Sequence, residues 1–192
     1  MVIKKIAILF SGSGSNLEKI LEGVHGRSFS TCKIEVACLI CNKKDAYGIQ
    51  RAKKYGLETT IIEHANYEDR ESFDRKMVEV IKASGAQLVV LAGFMRILTP
   101  EFTKNVNAIN LHPSLLPLFK GAHAIEDSYN SGMKVGGISV HYVNEELDAG
   151  EIIAQECFKK EDMNLEEFEE KIHALEHKLL PKTIIDILDN QK

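Results

Sequence analysis

The chain alternates short apolar runs with stretches in which apolar residues recur at helical spacing. Seven apolar runs have the length of a β-strand: KIAILF, IEVACLIC, LETTII, QLVVLAGF, AINLH, GISVHYV and IIAQECF. Three helical patterns lie between the early runs: NLEKILEGV, AYGIQRAKKYG and YEDRESFDRKMVEVIKASG. Strands that alternate with helices form βαβ units, whose strands are parallel. The pattern predicts an α/β fold with a doubly wound, largely parallel seven-stranded sheet and helices on both faces.

Two helix ends can be predicted from local chemistry. The third helical pattern is followed by Gly85, which favours the left-handed conformation that ends many helices. A long final helix is expected to begin near Asn164, a good N-cap, with Glu167 three residues on. Pro181 lacks a backbone N–H, so we expect it to kink this helix or split it in two.

Length and composition indicate one compact domain over residues 1–192, without repeats or low-complexity segments. We divide it at about residue 100 into two halves, 1–100 and 101–192. Lys and Arg number 24 against 28 Asp and Glu, a net charge of −4, so no basic field favours nucleic acid as a partner. Since no run approaches the roughly 20 apolar residues of a membrane span, we expect no membrane partner.

The cysteine pattern predicts buried thiols in a reducing compartment. Cys38 and Cys41 form a C-x-x-C, a spacing that can indicate metal or redox chemistry. They lie within a predicted strand, however, where a spacing of three places the two side chains on opposite faces. We therefore expect structural cysteines and a cytoplasmic protein.

The loop after the first strand, SGSGSN, has the character of a phosphate cradle. Gly12 and Gly14 allow a tight turn, and the N-terminus of the next helix offers free N–H groups to an anion. A dinucleotide motif would need a third glycine where Leu17 stands. A phosphate-bearing small ligand is the favoured interpretation, while an ordinary glycine turn and a dinucleotide site remain open.

The stretch AINLHPSLLP carries two polar residues in an otherwise apolar strand. Asn110 and His112 are two residues apart, so they point to the same side, and Pro113 should end the strand. Open α/β sheets bind ligands at the carboxyl ends of their strands. A ligand site and a polar strand end that simply meets solvent explain this stretch about equally well.

The polar residues of the second half favour acyl-type chemistry over metal binding. His112, His123, His141 and Asp148 fall at strand ends or in loops, but no compact ligand pair indicates zinc. Asn110 could donate a hydrogen bond to an oxygen that becomes negative in a tetrahedral intermediate. His112 could move a proton or stabilise that oxyanion as imidazolium, with Asp148 orienting the ring or a bridging water. Taken singly, each residue could be an ordinary hydrogen-bonded polar group.

Several motifs in order resemble the phosphoribosylglycinamide formyltransferase family. They are LFSGSGSNLEKIL, LAGFMRIL, INLHPSLLP, KGAHAIEDSYNSG, GGISVHYVNEELDAGEIIAQE and LEHKLLP, and the similarity covers about residues 3–188. The resemblance implies the formyltransferase fold and transfer of a formyl group from 10-formyltetrahydrofolate to the amine of glycinamide ribonucleotide, in de novo purine biosynthesis. It places Asn110, His112 and Asp148 at the catalytic positions and implies no metal.

The resemblance also implies two sets of binding residues. For the ribonucleotide these are Gly12, Ser13, Gly14, Ser15 and Asn16 at the phosphate, Glu176 at the ribose, and Gly93 and Pro113 at the glycinamide end. For the folate they are Arg70, Met95, Arg96, Ile97, Leu98, Asn110, Val143 and Asp148. With the resemblance, residues 1–100 are expected to be the phosphate-binding half and residues 101–192 the catalytic and folate-binding half.

Three other functions share some of these features. A formyltetrahydrofolate deformylase and a methionyl-tRNA formyltransferase would use the same Asn, His and Asp, but each carries a further domain that we do not expect here. A non-catalytic nucleotide-binding module could be built on the phosphate loop alone. The sequence leaves open whether the protein is a monomer or a homodimer.

Overall fold

The computed structural model describes residues 1–189, which contain eight strands and six α-helices. The strands are β1 (Val2–Phe10), β2 (Arg27–Ser28), β3 (Cys32–Cys41), β4 (Thr60–Ile61), β5 (Leu88–Leu91), β6 (Ala108–His112), β7 (Val135–Tyr142) and β8 (Ile152–Lys159). The helices are α1 (Ser15–Gly23), α2 (Tyr47–Lys54), α3 (Arg70–Ser84), α4 (Pro100–Thr103), α5 (Ala124–Asn130) and α6 (Leu165–Asp189), and a 3₁₀ turn spans His64–Asn66.

The strands form one mixed sheet in the order β2-β3-β1-β5-β6-β7-β8, with β4 paired to β3. The β3–β1, β1–β5, β5–β6 and β3–β4 pairs are parallel, whereas β6–β7, β7–β8 and β2–β3 are antiparallel. All seven predicted strands are present, and β2 adds an eighth. The strand β2 consists of two polar residues, Arg27 and Ser28, so no hydrophobic pattern could predict it.

Two hydrophobic clusters cover the two faces of the sheet, which confirms the doubly wound arrangement. The first face carries α1, α2 and α6 against residues such as Ile8 and Ile109. The second face carries α3 and α4 against residues such as Leu9 and Leu91.

The C-x-x-C cysteines lie on opposite faces, as predicted. Cys41 is buried in the first cluster, and Cys38 packs against the second. Burial raises the pKa of both thiols, that of Cys38 to about 11, so neither forms a reactive thiolate near neutral pH. All four cysteines of the chain are free thiols.

The predicted helix ends are largely confirmed. Gly85 follows α3 with a φ of 72°. At the N-terminus of α6, Asn164 and Glu167 exchange backbone-to-side-chain hydrogen bonds of 2.9 and 3.0 Å. The alternative in which Pro181 splits the last helix is wrong, because α6 is one helix of 25 residues. Leu180 and Ile184, on either side of the proline, are fully buried against the sheet, and this packing outweighs one lost hydrogen bond.

The loop after β1 contacts the start of α2 through Gly14 and Gly48. The Gly48 backbone N–H donates to Gly12 O over 3.1 Å. A Cβ atom on Gly14, whose φ is 72°, would lie 2.6 Å from Gly48 Cα, and one on Gly48 would lie 2.6 Å from the ring of Phe10. Both glycines are therefore required for the close approach of α2 to the phosphate loop.

No helix within residues 1–189 is long and apolar enough to span a membrane.

Replacement of Gly48 by alanine should destabilise the protein, because the new methyl group must displace the fully buried Phe10 ring. Overpacking of this kind costs about 1–3 kcal/mol, which urea unfolding measures. Gly132→Ala is the matched control, since no atom lies within 4 Å of its Cβ position. Equal stability of the two variants would contradict this account of the contact.

Candidate active site

The alternation of side chains in β6 creates the candidate site. Ile109 and Leu111 point into the first hydrophobic cluster, so Asn110 and His112 point to the second face. In the adjacent strand β7, His141 lies opposite Asn110, and Ser139 lies opposite His112. Four polar side chains therefore share one side of the sheet at the carboxyl end of β6.

Asp148 reaches His112 from the loop between β7 and β8. Its backbone has a φ of 49°, a left-handed conformation that Asp tolerates better than most residues. One carboxylate oxygen lies 3.5 Å from His112 Nδ1 and accepts the Gly121 N–H over 2.9 Å. His112 and Asp148 are only 5% and 8% exposed, so water screens their interaction weakly.

The other ring nitrogen of His112 also has an acceptor. Nε2 donates to the backbone carbonyl of Phe119 over 2.8 Å. Because a carbonyl oxygen and a carboxylate both accept, an imidazolium satisfies both sides of the ring. The geometry thus suits a positive charge on His112 opposite Asp148.

Asn110 is tied to His141 on β7. The Asn110 amide donates from Nδ2 to His141 Nε2 over 3.2 Å, and His141 Nδ1 donates to Tyr142 O over 2.8 Å. Burial lowers the pKa of His141, although the Tyr142 carbonyl and the Asp148 carboxylate act in the opposite direction. These two hydrogen bonds fit a neutral ring that carries its proton on Nδ1.

A cleft of about 390 Å³ opens on the first face, beside the carboxyl ends of β1 and β6. The predicted ribonucleotide residues all line it: Gly12, Ser13, Gly14, Ser15, Asn16, Gly93, Pro113 and Glu176. A Cβ on Gly12 would meet no atom within 4 Å, so space for a ligand exists directly at this turn. The structure brings these residues together from both halves of the chain.

Glu176 is held in the cleft by two side chains. Asn16 Nδ2 donates to its carboxylate over 3.1 Å, and His173 Nδ1 donates to the same oxygen over 2.9 Å. The hydrogen bond that His173 donates to the Glu176 carboxylate raises the pKa of His173, against the effect of burial. This cleft therefore holds a cationic imidazole beside the predicted phosphate loop over a wider pH range than a free histidine would.

The predicted folate residues lie mainly on the second face. Leu98 and Val143 pack against its hydrophobic cluster, and Arg70 is exposed at the start of α3 on the same side. Arg96 is half-buried, whereas Met95 and Ile97 expose 71% and 57% of their surface. Met95 also lines the cleft of the first face, so the 95–98 loop stands at the junction of the two sites.

The 95–98 loop is anchored at both ends. The Met95 N–H donates to Ser11 Oγ over 2.8 Å, and Thr99 donates to Asp74 through its N–H and hydroxyl over 2.6 and 2.8 Å. Asp74 is 1% exposed, and burial raises the pKa of its carboxyl group. The exposed apolar side chains between these anchors are thus presented by a fixed backbone.

Sequence reasoning missed three of these residues. It assigned no role to Asp74 and His173, and it considered His141 only as a zinc ligand. A charged residue on the buried side of α3 was the available signal for Asp74. Among residues 1–189, no group of three or more His, Cys, Asp or Glu residues could hold a metal ion.

Comparisons with known proteins identify the family of this chain. A protein-family model described as "Formyl transferase" matches residues 4–184 of this chain. The chain belongs to the formyl transferase family.

Similar proteins with known names narrow the assignment within this family to one type of formyltransferase. The phosphoribosylglycinamide formyltransferase of Bacillus subtilis is 36% identical over 97% of this chain and 95% of its own. The crystal structure of phosphoribosylglycinamide formyltransferase from Campylobacter jejuni superposes with a TM-score of 0.96 at 62% identity, over 97% of this chain and 98% of that one. The human trifunctional purine biosynthetic protein adenosine-3 is 37% identical over 94% of this chain, which spans 18% of that longer protein. The prediction of a folate-dependent enzyme of the phosphoribosylglycinamide formyltransferase type, with 10-formyltetrahydrofolate as co-substrate, is confirmed.

The pKa of His173 should fall when Glu176 is replaced by glutamine, because the charged acceptor that raises it is removed. A raised pKa means that the folded state favours protonated His173; this stabilisation is complete below the ordinary pKa of about 6.5 and is lost as pH rises through the folded value. NMR titration of the ring protons measures the change. Glu126→Gln removes another carboxylate of the cleft, one that pairs with His123, and should leave the pKa of His173 unchanged. An unchanged pKa in Glu176→Gln would contradict the assignment.

Proposed function

We propose that Asn110, His112 and Asp148 are the catalytic residues by which this enzyme transfers a formyl group from 10-formyltetrahydrofolate to the amine of glycinamide ribonucleotide. The observation that carries the proposal is the buried His112–Asp148 pair, 3.5 Å apart, on the same side of β6 as the Asn110 amide. These three groups lie between the cleft on the first face and the 95–98 loop, which borders that cleft.

The chemistry follows from these groups. The ribonucleotide amine attacks the formyl carbon and forms a C–N bond, and the formyl oxygen becomes negative. Asn110 donates a hydrogen bond to this oxygen, and the His112 imidazolium stabilises it electrostatically. The bond from the formyl carbon to the folate nitrogen then breaks. The proton that the amine loses goes to the folate nitrogen, and the His112–Asp148 pair is the relay.

The two substrates approach from the two faces of the sheet. The ribonucleotide phosphate binds the loop from Gly12 to Asn16 at the N-terminus of α1, where backbone N–H groups and the helix dipole favour an anion. Glu176 contacts the ribose, and Gly93 and Pro113 lie against the glycinamide. The folate lies along the second face on Arg70, the 95–98 loop and Val143, where the exposed Met95 and Ile97 side chains supply apolar contact for a pterin ring.

The chain is proposed to act as one domain over residues 1–192, with its phosphate-binding half in 1–100 and its catalytic half in 101–192. Hydrogen bonds between β5 and β6 join the halves in one sheet, which supports a single unit. The substrates are small molecules. Four free thiols support a reducing, cytoplasmic compartment.

Formyl transfer can be tested directly by the folate absorbance change with 10-formyltetrahydrofolate, in the presence and absence of glycinamide ribonucleotide. We expect tetrahydrofolate release only when the ribonucleotide is present. Equal release without it would indicate a hydrolase that uses water as acceptor. Binding of the ribonucleotide with no release at all would indicate a non-catalytic module.

The variants Asn110→Ala, His112→Ala and Asp148→Asn should lose activity while still binding ribonucleotide. Because these groups stabilise charge that develops in the transition state, we expect kcat to fall about 10²-fold or more. Calorimetry should give a ribonucleotide Kd within about threefold of the original, since a group that acts only in the transition state does not change ground-state binding.

His25→Ala is the control for these variants. His25 lies outside the site, where its Nδ1 accepts the Val36 N–H over 3.0 Å. We therefore expect kcat to be unchanged. Full activity in His112→Ala would rule out the proposed role of that residue.

A further inference from the structure

His141 occupies a position that the proposed chemistry leaves unexplained. It is a polar residue on an inner strand and is only 3% exposed, and its Nε2 lies 3.2 Å from Asn110 Nδ2 and 3.8 Å from Asp148 Oδ1. A buried imidazole needs hydrogen-bond partners for both nitrogens, and those partners fix which nitrogen carries the proton.

The hydrogen bonds of His141 permit one neutral tautomer. The Tyr142 carbonyl, 2.8 Å from Nδ1, can only accept, so Nδ1 carries the proton. Nε2 is then a bare acceptor, and it takes an N–H of Asn110 over 3.2 Å. Asp148 Oδ1 is 3.8 Å from Nε2, beyond direct hydrogen-bond distance, so Asn110 is the partner of that nitrogen.

The acceptor at Tyr142 is itself held in place. Tyr142 N–H donates to Glu151 O over 2.9 Å, and the register of β7 against β8 shifts between Val140 and His141. Gly150 passes so close that a Cβ there would lie 1.6 Å from Tyr142 O. The Tyr142 carbonyl is therefore fixed by strand pairing and by the absence of a side chain at position 150.

From this arrangement we infer that His141 is a positioning residue, which acts through Asn110 by holding the amide with its nitrogen, rather than its oxygen, towards the imidazole. The inference rests on the proposed role of Asn110. An Asn amide can rotate by half a turn, and in the wrong orientation its oxygen could face the developing negative charge. With Nδ2 tied to His141 by one N–H, the second N–H of the same group remains for the formyl oxygen.

This arrangement also makes the orientation of Asn110 depend on pH. Protonated His141 would carry N–H groups on both nitrogens, and Nε2 could accept nothing from Asn110. The charged groups facing the ring are Asp148 from the β7–β8 loop and, when protonated, His112 from β6, whereas Ile152 of β8 is apolar. Because burial lowers the pKa of His141, the ring loses its acceptor only on the acid side of the ordinary histidine range.

A double-mutant cycle tests the inference. His141→Leu should lower kcat about as much as Asn110→Ala, roughly 10²-fold, with KM for both substrates within about threefold. The double variant should be no slower than Asn110→Ala alone, because both changes remove the same interaction. His25→Leu, which removes a histidine outside the site, should leave kcat unchanged.

His141→Gln is the conservative variant. Its side-chain oxygen can accept from Asn110 but does not titrate, so most of kcat should return. Its pH profile should lack the acid loss due to His141, while any contribution of His112 and Asp148 remains in both proteins.

The tautomer can be measured in the unmodified protein, whatever the variants do. ¹⁵N NMR of the ring at neutral pH should show a protonated Nδ1 and a bare Nε2. A proton on Nε2, or additive losses in the double variant, would overturn the inference. If Asn110→Ala itself keeps full activity, the proposed catalytic role of Asn110 is wrong. The NMR measurement of the His141 tautomer does not depend on that role, so the two failures can be distinguished.

Discussion

The two-residue period of β6 is the constraint on which the site depends. This strand lies within the sheet between β5 and β7, so both of its edges are paired with a neighbouring strand. Ile109 and Leu111 are held in the first hydrophobic cluster. A shift by one residue would place these apolar side chains at the site and bury two polar ones in the core, so hydrophobic burial fixes the register. The same burial therefore orients Asn110 and His112.

Polar groups placed in this way need partners, and loops supply most of them. Asp148 comes from the β7–β8 loop, and Phe119 and Gly121 come from the loop after β6. Ser139 of β7 secures that second loop, because its hydroxyl donates to Ser114 O over 2.7 Å and accepts the Leu116 N–H over 3.0 Å. His112, the proposed catalytic histidine, is thus enclosed by hydrogen bonds from its own strand, two loops and the neighbouring strand β7.

The two faces of the sheet give one small domain separate places for the two proposed substrate sites. The cleft proposed for the ribonucleotide lies on the first face, and most of the predicted folate residues lie on the second. Met95 borders the cleft, and Leu98, three residues on, packs on the other face. The carboxyl end of β6 is where both faces meet, so a group can pass from one ligand to the other without a covalent intermediate on the protein.

Local patterns in the sequence determined much of this protein. Periodicity is a property of neighbouring residues, so the seven strands, the end of α3 at Gly85 and the placement of Asn110 and His112 on one side of a strand could all be predicted. The order of motifs predicted the formyltransferase type. What periodicity could not predict was β2, two polar residues that pair only because β3 runs beside them.

The tertiary structure alone decided which distant residues meet. Glu176 of α6 accepts from Asn16 of α1 across 160 residues of sequence, and His141 meets Asn110 because β7 turns back antiparallel to β6. It also decided that α6 continues through Pro181 and that Gly48 is needed beside Phe10. Contacts of this kind depend on how elements pack, and no local pattern of residues records that packing.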